Sequence, residues 1–132
     1  MAIRWFIEEE EHPNSTLVLE RLVSKPELFA VPELFSFEVF AVLNRIHPEA
    51  HLHLESIIPI LQGGLLRYPM TDELARRSFS YCYEGLSGYD ATYASLAEML
   101  DALWLTFDSK AHRRIEGRMV SMDLRSEAPS FE

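Results

Sequence analysis

The stretch Leu86-Ser87-Gly88-Tyr89-Asp90-Ala91-Thr92-Tyr93-Ala94-Ser95-Leu96-Ala97-Glu98-Met99-Leu100-Asp101-Ala102-Leu103-Trp104-Leu105-Thr106-Phe107-Asp108 decides the fold. Ser87-Gly88 opens a helix from Tyr89 to Leu100, with Tyr93, Leu96, Ala97 and Leu100 on one face. Asp90 falls in its first turn, where a carboxylate complements the helix dipole. Ala102 to Phe107 is a continuous apolar run of strand length, the pattern of a strand covered on both faces. Asp108-Ser109 then starts a short helix through Arg114. Helix, buried strand and helix in succession predict an α/β fold, with a mainly parallel sheet flanked by helices as a three-layer sandwich. That order puts Asp108 at the carboxyl end of a strand, where open α/β sheets place their ligands.

Upstream, Thr71 is set to cap a helix running to Tyr83, with Asp72 and Glu73 in its first turn. Leu65 to Pro69 reads as an edge strand, because proline is tolerated only at an edge or end. Residues 49–62 predict a helix that Pro59 kinks and Gly63-Gly64 ends. His51 and His53, two apart, share no helical face, so with His47 they read as surface residues rather than ligands. Pro32 to Ile46 predicts a helix apolar on nearly every side (Leu34, Phe35, Phe37, Val39, Phe40, Val42, Leu43), hence buried. Its mid-helix acid, Glu38, is costly among phenylalanines unless paired, protonated or metal-bound. Leu28 to Val31 predicts a short buried strand, and a helix capped by Asn14 or Ser15 precedes it, running to Ser24 with Leu17, Leu19, Leu22 and Val23 as its apolar content. Residues 2–9 predict a further helix ending in the acidic run Glu8 to Glu11, a solvated helix end. Downstream, Met119 to Met122 is a last strand and about 126–132 a loose tail. No repeat or linker interrupts the chain, so 1–132 is expected to be a single domain.

Composition narrows the function. The chain has 132 residues, enough to bury a core without staples. Its one cysteine, Cys82, excludes an internal disulfide and any CxxC site, and it reads as a small core residue. No apolar run approaches the ~20 residues of a membrane span, and the start turns acidic at Glu8, unlike a signal peptide; a cytoplasmic setting is expected. The formal net charge of −9 argues against a nonspecific DNA-binding module. It suits carboxylates that converge on a divalent cation, and equally a basic partner that covers the surface. There is no Gly-rich phosphate loop and no GxSxG serine. On spacing alone, Glu38, Asp90 and Asp108 fit the oxygen ligands of Mg²⁺ or Mn²⁺, but Asp90 and Asp108 fit equally the role of plain N-cap or first-turn acids.

The 86–108 stretch closely resembles the core of PIN-domain proteins, especially VapC-type toxins. The stretch Ala30-Val31-Pro32-Glu33-Leu34-Phe35-Ser36-Phe37-Glu38-Val39-Phe40-Ala41-Val42-Leu43 resembles a second helix of that family, and Ala2 to Glu10 resembles the helix after its first strand. The resemblance implies an endoribonuclease in which acids surround Mg²⁺ or Mn²⁺ and hydrolyse RNA phosphodiesters. It assigns the family's helical Glu to Glu38, its tyrosine-linked Asp to Asp90 and its strand-end Asp to Asp108, with Thr106 orienting the carboxylates. It further implies a small antitoxin protein as partner.

One departure is large. The family's first central strand and the Asp at its end would fall a few positions before Met1. The expectation is therefore a sheet short of its middle strand and three of four ligands, with weak or no nuclease activity and weak metal binding for the 132-residue form; a gene start placed too late or a genuine truncation would each produce this. Unpaired strand edges invite pairing with a second copy, so a homodimer is expected. The competing reading is a non-catalytic PIN-like protein that acts by binding partners, or a relic. Trp104 reads as core, while Arg113 and Arg114 can meet phosphate or simply face solvent.

Overall fold

The computed structural model describes residues 12–46, 55 and 64–131. The helices predicted over 2–9 and 49–62 (Glu55 excepted) and His47, His51 and His53 lie outside the described residues. The chain divides into two compact units, one spanning Met1–Tyr68 with Phe131–Glu132, the other Pro69–Ser130.

In the first unit, α1 spans Pro13–Ser24. Proline suits the first helical position because its missing N–H would have no partner there. The cap differs from expectation. His12, in extended backbone, accepts from the Asn14 amide through Nδ1 at 3.1 Å, so an imidazole does what Asn14 or Ser15 was expected to do. Ser15 instead donates from Oγ to the His12 carbonyl at 2.8 Å and is buried. Val18 and Leu22 form the buried stripe, while Leu17 and Val23 face solvent. A single 3₁₀ turn, Pro26–Leu28, leads to β1, Ala30–Pro32. β1 pairs in parallel with β2, Leu66–Tyr68, in register Ala30↔Leu66 and Pro32↔Tyr68. Pro32 has no N–H to give, and the ladder continues through the next amide, Glu33, which donates to the Tyr68 carbonyl at 2.8 Å. Phe131 packs against Phe29, ring centroids 5.5 Å apart, under the Arg21 guanidinium.

Helix α2 spans Leu34–Ile46. Val39 is buried, but Phe37 and Phe40 are 75% and 54% exposed, so the apolar circumference does not bury this helix on every side as its composition suggested.

In the second unit the described residues form a core cluster. α3, Asp72–Tyr83, starts where predicted: Thr71 Oγ1 accepts from the Leu74 amide at 3.1 Å, with Asp72 and Glu73 in the first turn. Gly85 turns the chain at φ +100°, a backbone angle that calls for glycine. α4, Gly88–Met99, is capped by Ser87, whose Oγ accepts from the Asp90 amide at 3.1 Å. Its buried face is built of small residues, Ala91, Ala94, Ser95 and Ala97 beside Leu96, rather than on Tyr93 and Leu100, which are half-buried. Small side chains let α4 lie close to α3. Tyr81, Leu86, Ala91, Ala94, Ala111, Ile115 and Val120 form the core, with Cys82 and Trp104 packed at its margin. Burying a side chain such as Leu74 or Ile115 contributes ~1.5–3 kcal/mol.

β3 is Trp104–Thr106, shorter than the apolar run predicted: Ala102 and Leu103 precede it exposed, so the strand is not covered along its whole length. Trp104 stacks on Tyr93. α5, Ser109–Ile115, and a 3₁₀ turn, Glu116–Arg118, lead to β4, Ser121–Asp123. β3 and β4 are parallel, with Trp104↔Ser121 and Thr106↔Asp123 paired. The mixed α/β class and the parallel pairing are as predicted. Among the described residues the strands form two two-stranded sheets, one in each unit. No described helix is long and apolar enough to cross a membrane.

Candidate active site

The carboxyl end of β3 is a built turn. Thr106, buried at the strand's last position, accepts the Asp108 amide on Oγ1 at 3.0 Å. Asp108 is the N-cap of α5, and its Oδ1 accepts from the Ala111 amide at 2.9 Å. Two residues from the predicted set therefore hold each other: the threonine hydroxyl fixes the backbone that aims the carboxylate. Asp108 itself is solvent-exposed. The N-cap role foreseen as the plain structural reading is present, and it engages one carboxylate oxygen.

Asp90 reaches the same locality from the first turn of α4. Burial raises its pKa first, and the negative charge of Asp108 raises it further, against a hydrogen bond from Ser87 that favours the ionised form. Two carboxylates from separate elements thus share one electrostatic environment, and neither Lys nor Arg is a cause of the shift. Such a pair is a place where a cation lowers the energy of both charges.

Glu38 lies on α2 in the first unit, half-buried, with Oε1 withdrawn from solvent. Among the described residues no three His, Cys, Asp or Glu side chains stand together as a metal cage. Of the arginines near Asp108, Arg113 is exposed, whereas Arg114 donates to the Gly85 carbonyl and is committed to that turn.

A family model of the PIN domain matches residues 1–117. The chain belongs to the PIN-domain family. No curated protein and no solved structure matches it. A PIN domain suggests nuclease activity in general, and RNA as the bound partner; PIN nucleases typically use divalent metals. The donor set fits such an ion. Asp90 and Asp108 supply hard carboxylate oxygens, and Mg²⁺ is ordinarily held by one or two carboxylates, with waters and a substrate phosphate completing its octahedron.

Sequence reasoning missed one acid beside the Thr106 strand end. Asp123 ends β4 opposite Thr106 and is buried. Burial pushes its pKa up, but hydrogen bonds from the Ser109 hydroxyl and the Arg125 amide, with His112 and Arg125 nearby, outweigh that and hold it below the ordinary value. The signal that could have found it is the one that found Asp108, an acid directly after a short apolar strand.

Proposed function

We propose that this PIN domain is a Mg²⁺- or Mn²⁺-dependent endoribonuclease, the toxin of a toxin–antitoxin pair, hydrolysing RNA phosphodiesters in the cytoplasm and restrained by a small antitoxin protein. The observation that carries the reading is the electrostatic coupling of Asp90 to Asp108 at the carboxyl end of β3. Asp90 and Asp108 would hold the cation, with Glu38 as the third ligand and 1–132 acting as one PIN-like domain. When bound, the ion polarises a phosphate, lowers the pKa of a coordinated water and stabilises the extra charge of the transition state.

The protein's own contributions are positional. Thr106 Oγ1 fixes the Asp108 backbone, and the Ala111 amide fixes one carboxylate oxygen. Ser87 caps α4, so Asp90 is carried on a helix whose start is pinned. Asp90 is partly desolvated before any ligand arrives, and its interaction with a cation is correspondingly less screened.

The test is Mn²⁺-supported cleavage of a fluorescence-quenched RNA: the wild type cleaves weakly, and Asp90→Asn not at all. A second reading is a non-catalytic PIN-like binding protein. RNA binding without Mn²⁺-dependent cleavage would select it. A homodimer is tested by light scattering.

A further inference from the structure

The PIN match ends at residue 117, yet the segment after it reaches back to the Asp108 turn. β4 runs beside β3 so that Asp123 pairs with Thr106. From there three bonds cross to residues 106, 107 and 109. The Leu124 amide donates to the Thr106 carbonyl at 2.8 Å. Arg125 Nε donates to the Phe107 carbonyl at 2.7 Å. The Ser109 hydroxyl donates to the buried Asp123 carboxylate, which also accepts the Arg125 amide at 3.0 Å. One turn further along α5, His112 Nδ1 meets Ser121 Oγ at 2.7 Å.

These contacts bracket Asp108. Phe107 and Ser109 are its two chain neighbours, and each is held by a side chain of the 123–125 turn. The helix that Asp108 caps has seven residues, Ser109–Ile115. A helix so short has little stability of its own, so the direction of its first turn is set by what anchors it. The Ala111 amide that fixes Asp108 Oδ1 belongs to that first turn.

We infer that Asp123 and Arg125 are positioning residues for Asp108, gripping Ser109 and the Phe107 carbonyl so that the strand-end carboxylate is aimed at its cation before the cation binds. This rests on the reading of Asp90 and Asp108 as metal ligands. Partners that orient a ligand in this way typically contribute 10–100-fold in metal affinity or activity.

The experiment is Mn²⁺ titration of the full chain, followed by the electron paramagnetic resonance of the free ion, with melting temperature recorded for every variant. Ser109→Ala, Arg125→Ala and Asp123→Ala are each expected to weaken Mn²⁺ binding about 10-fold. The double variant of Ser109 and Asp123 should bind no worse than Asp123→Ala alone, because both changes remove one grip. Arg125→Lys, which keeps a cationic donor, should recover part of the affinity. In the metal-free protein, amide exchange at Asp108 and Ala111 should quicken in the same variants. Ser109→Ala removes a single hydroxyl from a half-buried position, so it carries the test if Asp123→Ala fails to fold. If the wild type binds Mn²⁺ and Asp108→Asn does not, while Ser109→Ala and Arg125→Ala bind like wild type, the grip is only packing and this inference is wrong while the metal site stands. If the wild type binds no better than Asp108→Asn, the metal reading and this inference fall together.

Discussion

Asp90 and Asp123 belong to the same compact unit, and each ends or begins a regular element beside the β3 turn. Their surroundings act on them in opposite senses. Asp90 is held high by burial and by the charge of Asp108, against a hydrogen bond from Ser87. Asp123 is also buried, but Ser109, the Arg125 amide, His112 and Arg125 favour its ionised form and hold it low. The difference separates a carboxylate whose needs the protein meets from one whose needs it leaves to something else. An acid kept uncomfortable beside another acid fits a cation-binding role; an acid satisfied from several sides fits an architectural one.

The largest expected effect falls on the uncomfortable acid. Asp90→Asn should lower Mn²⁺-dependent RNA cleavage by more than about 100-fold, beyond what loss of a merely orienting partner costs, as read by single-turnover cleavage. An Asp90→Asn variant that cleaves normally would erase the functional half of the comparison.

The next effect falls on stability. Asp123→Ala should destabilise the metal-free protein by about 1–3 kcal/mol, because the Ser109 hydroxyl and the Arg125 amide lose their acceptor; urea unfolding at neutral pH measures it. Since the folded pKa of Asp123 is depressed, its contribution is present above the ordinary carboxylate value and lost as pH falls through the folded one. The gap between wild type and variant should therefore narrow in acid.

For Asp90 the sign reverses. Its folded pKa is raised, so the associated stability is present below the ordinary carboxylate value and lost as pH rises through the folded one. Asp90→Asn, which cannot ionise, should melt higher than wild type at neutral pH without metal, and the advantage should disappear in acid. Opposite changes in stability for the two variants are the sharpest form of the comparison.

Tyr81 gives a smaller effect at the other end of the scale. Burial, then the charge of Glu98, pushes its hydroxyl up to about 12 from 10.0, with Arg118 over the ring in partial opposition. A raised folded pKa means stability that is complete below pH 10 and declines as pH rises towards 12. Tyr81→Phe should flatten that alkaline decline in a thermal melt series.

How much of this the sequence carried depends on the range of the physics involved. The Thr71 and Ser87 caps, the helix to Tyr83 and the acid at the end of β3 were legible, because caps and strand ends are set within three or four residues. The His12 cap was not, because an imidazole seldom caps and Asn14 and Ser15 are the usual choices. The exposure of Phe37 and Phe40 was hidden because composition tells what a helix could bury, not what stands opposite it. Leu103 misled for a similar reason: an apolar run gives the length of a hydrophobic segment, whereas the strand extends only where β4 offers a partner. Asp123 matters through Ser109 and Thr106, and no spacing rule links those positions across the intervening chain.

The central claim is that Asp90 and Asp108 form one charged locus that a cation relieves, and carbon-13 NMR titration of the Asp90 carboxyl tests it most directly. The account predicts that Asp90 titrates above the ordinary aspartate range, that Asp108→Asn lowers its midpoint, and that Mg²⁺ lowers the midpoint in wild type but little in Asp108→Asn. An Asp90 midpoint indifferent to both Asp108→Asn and Mg²⁺ would contradict it.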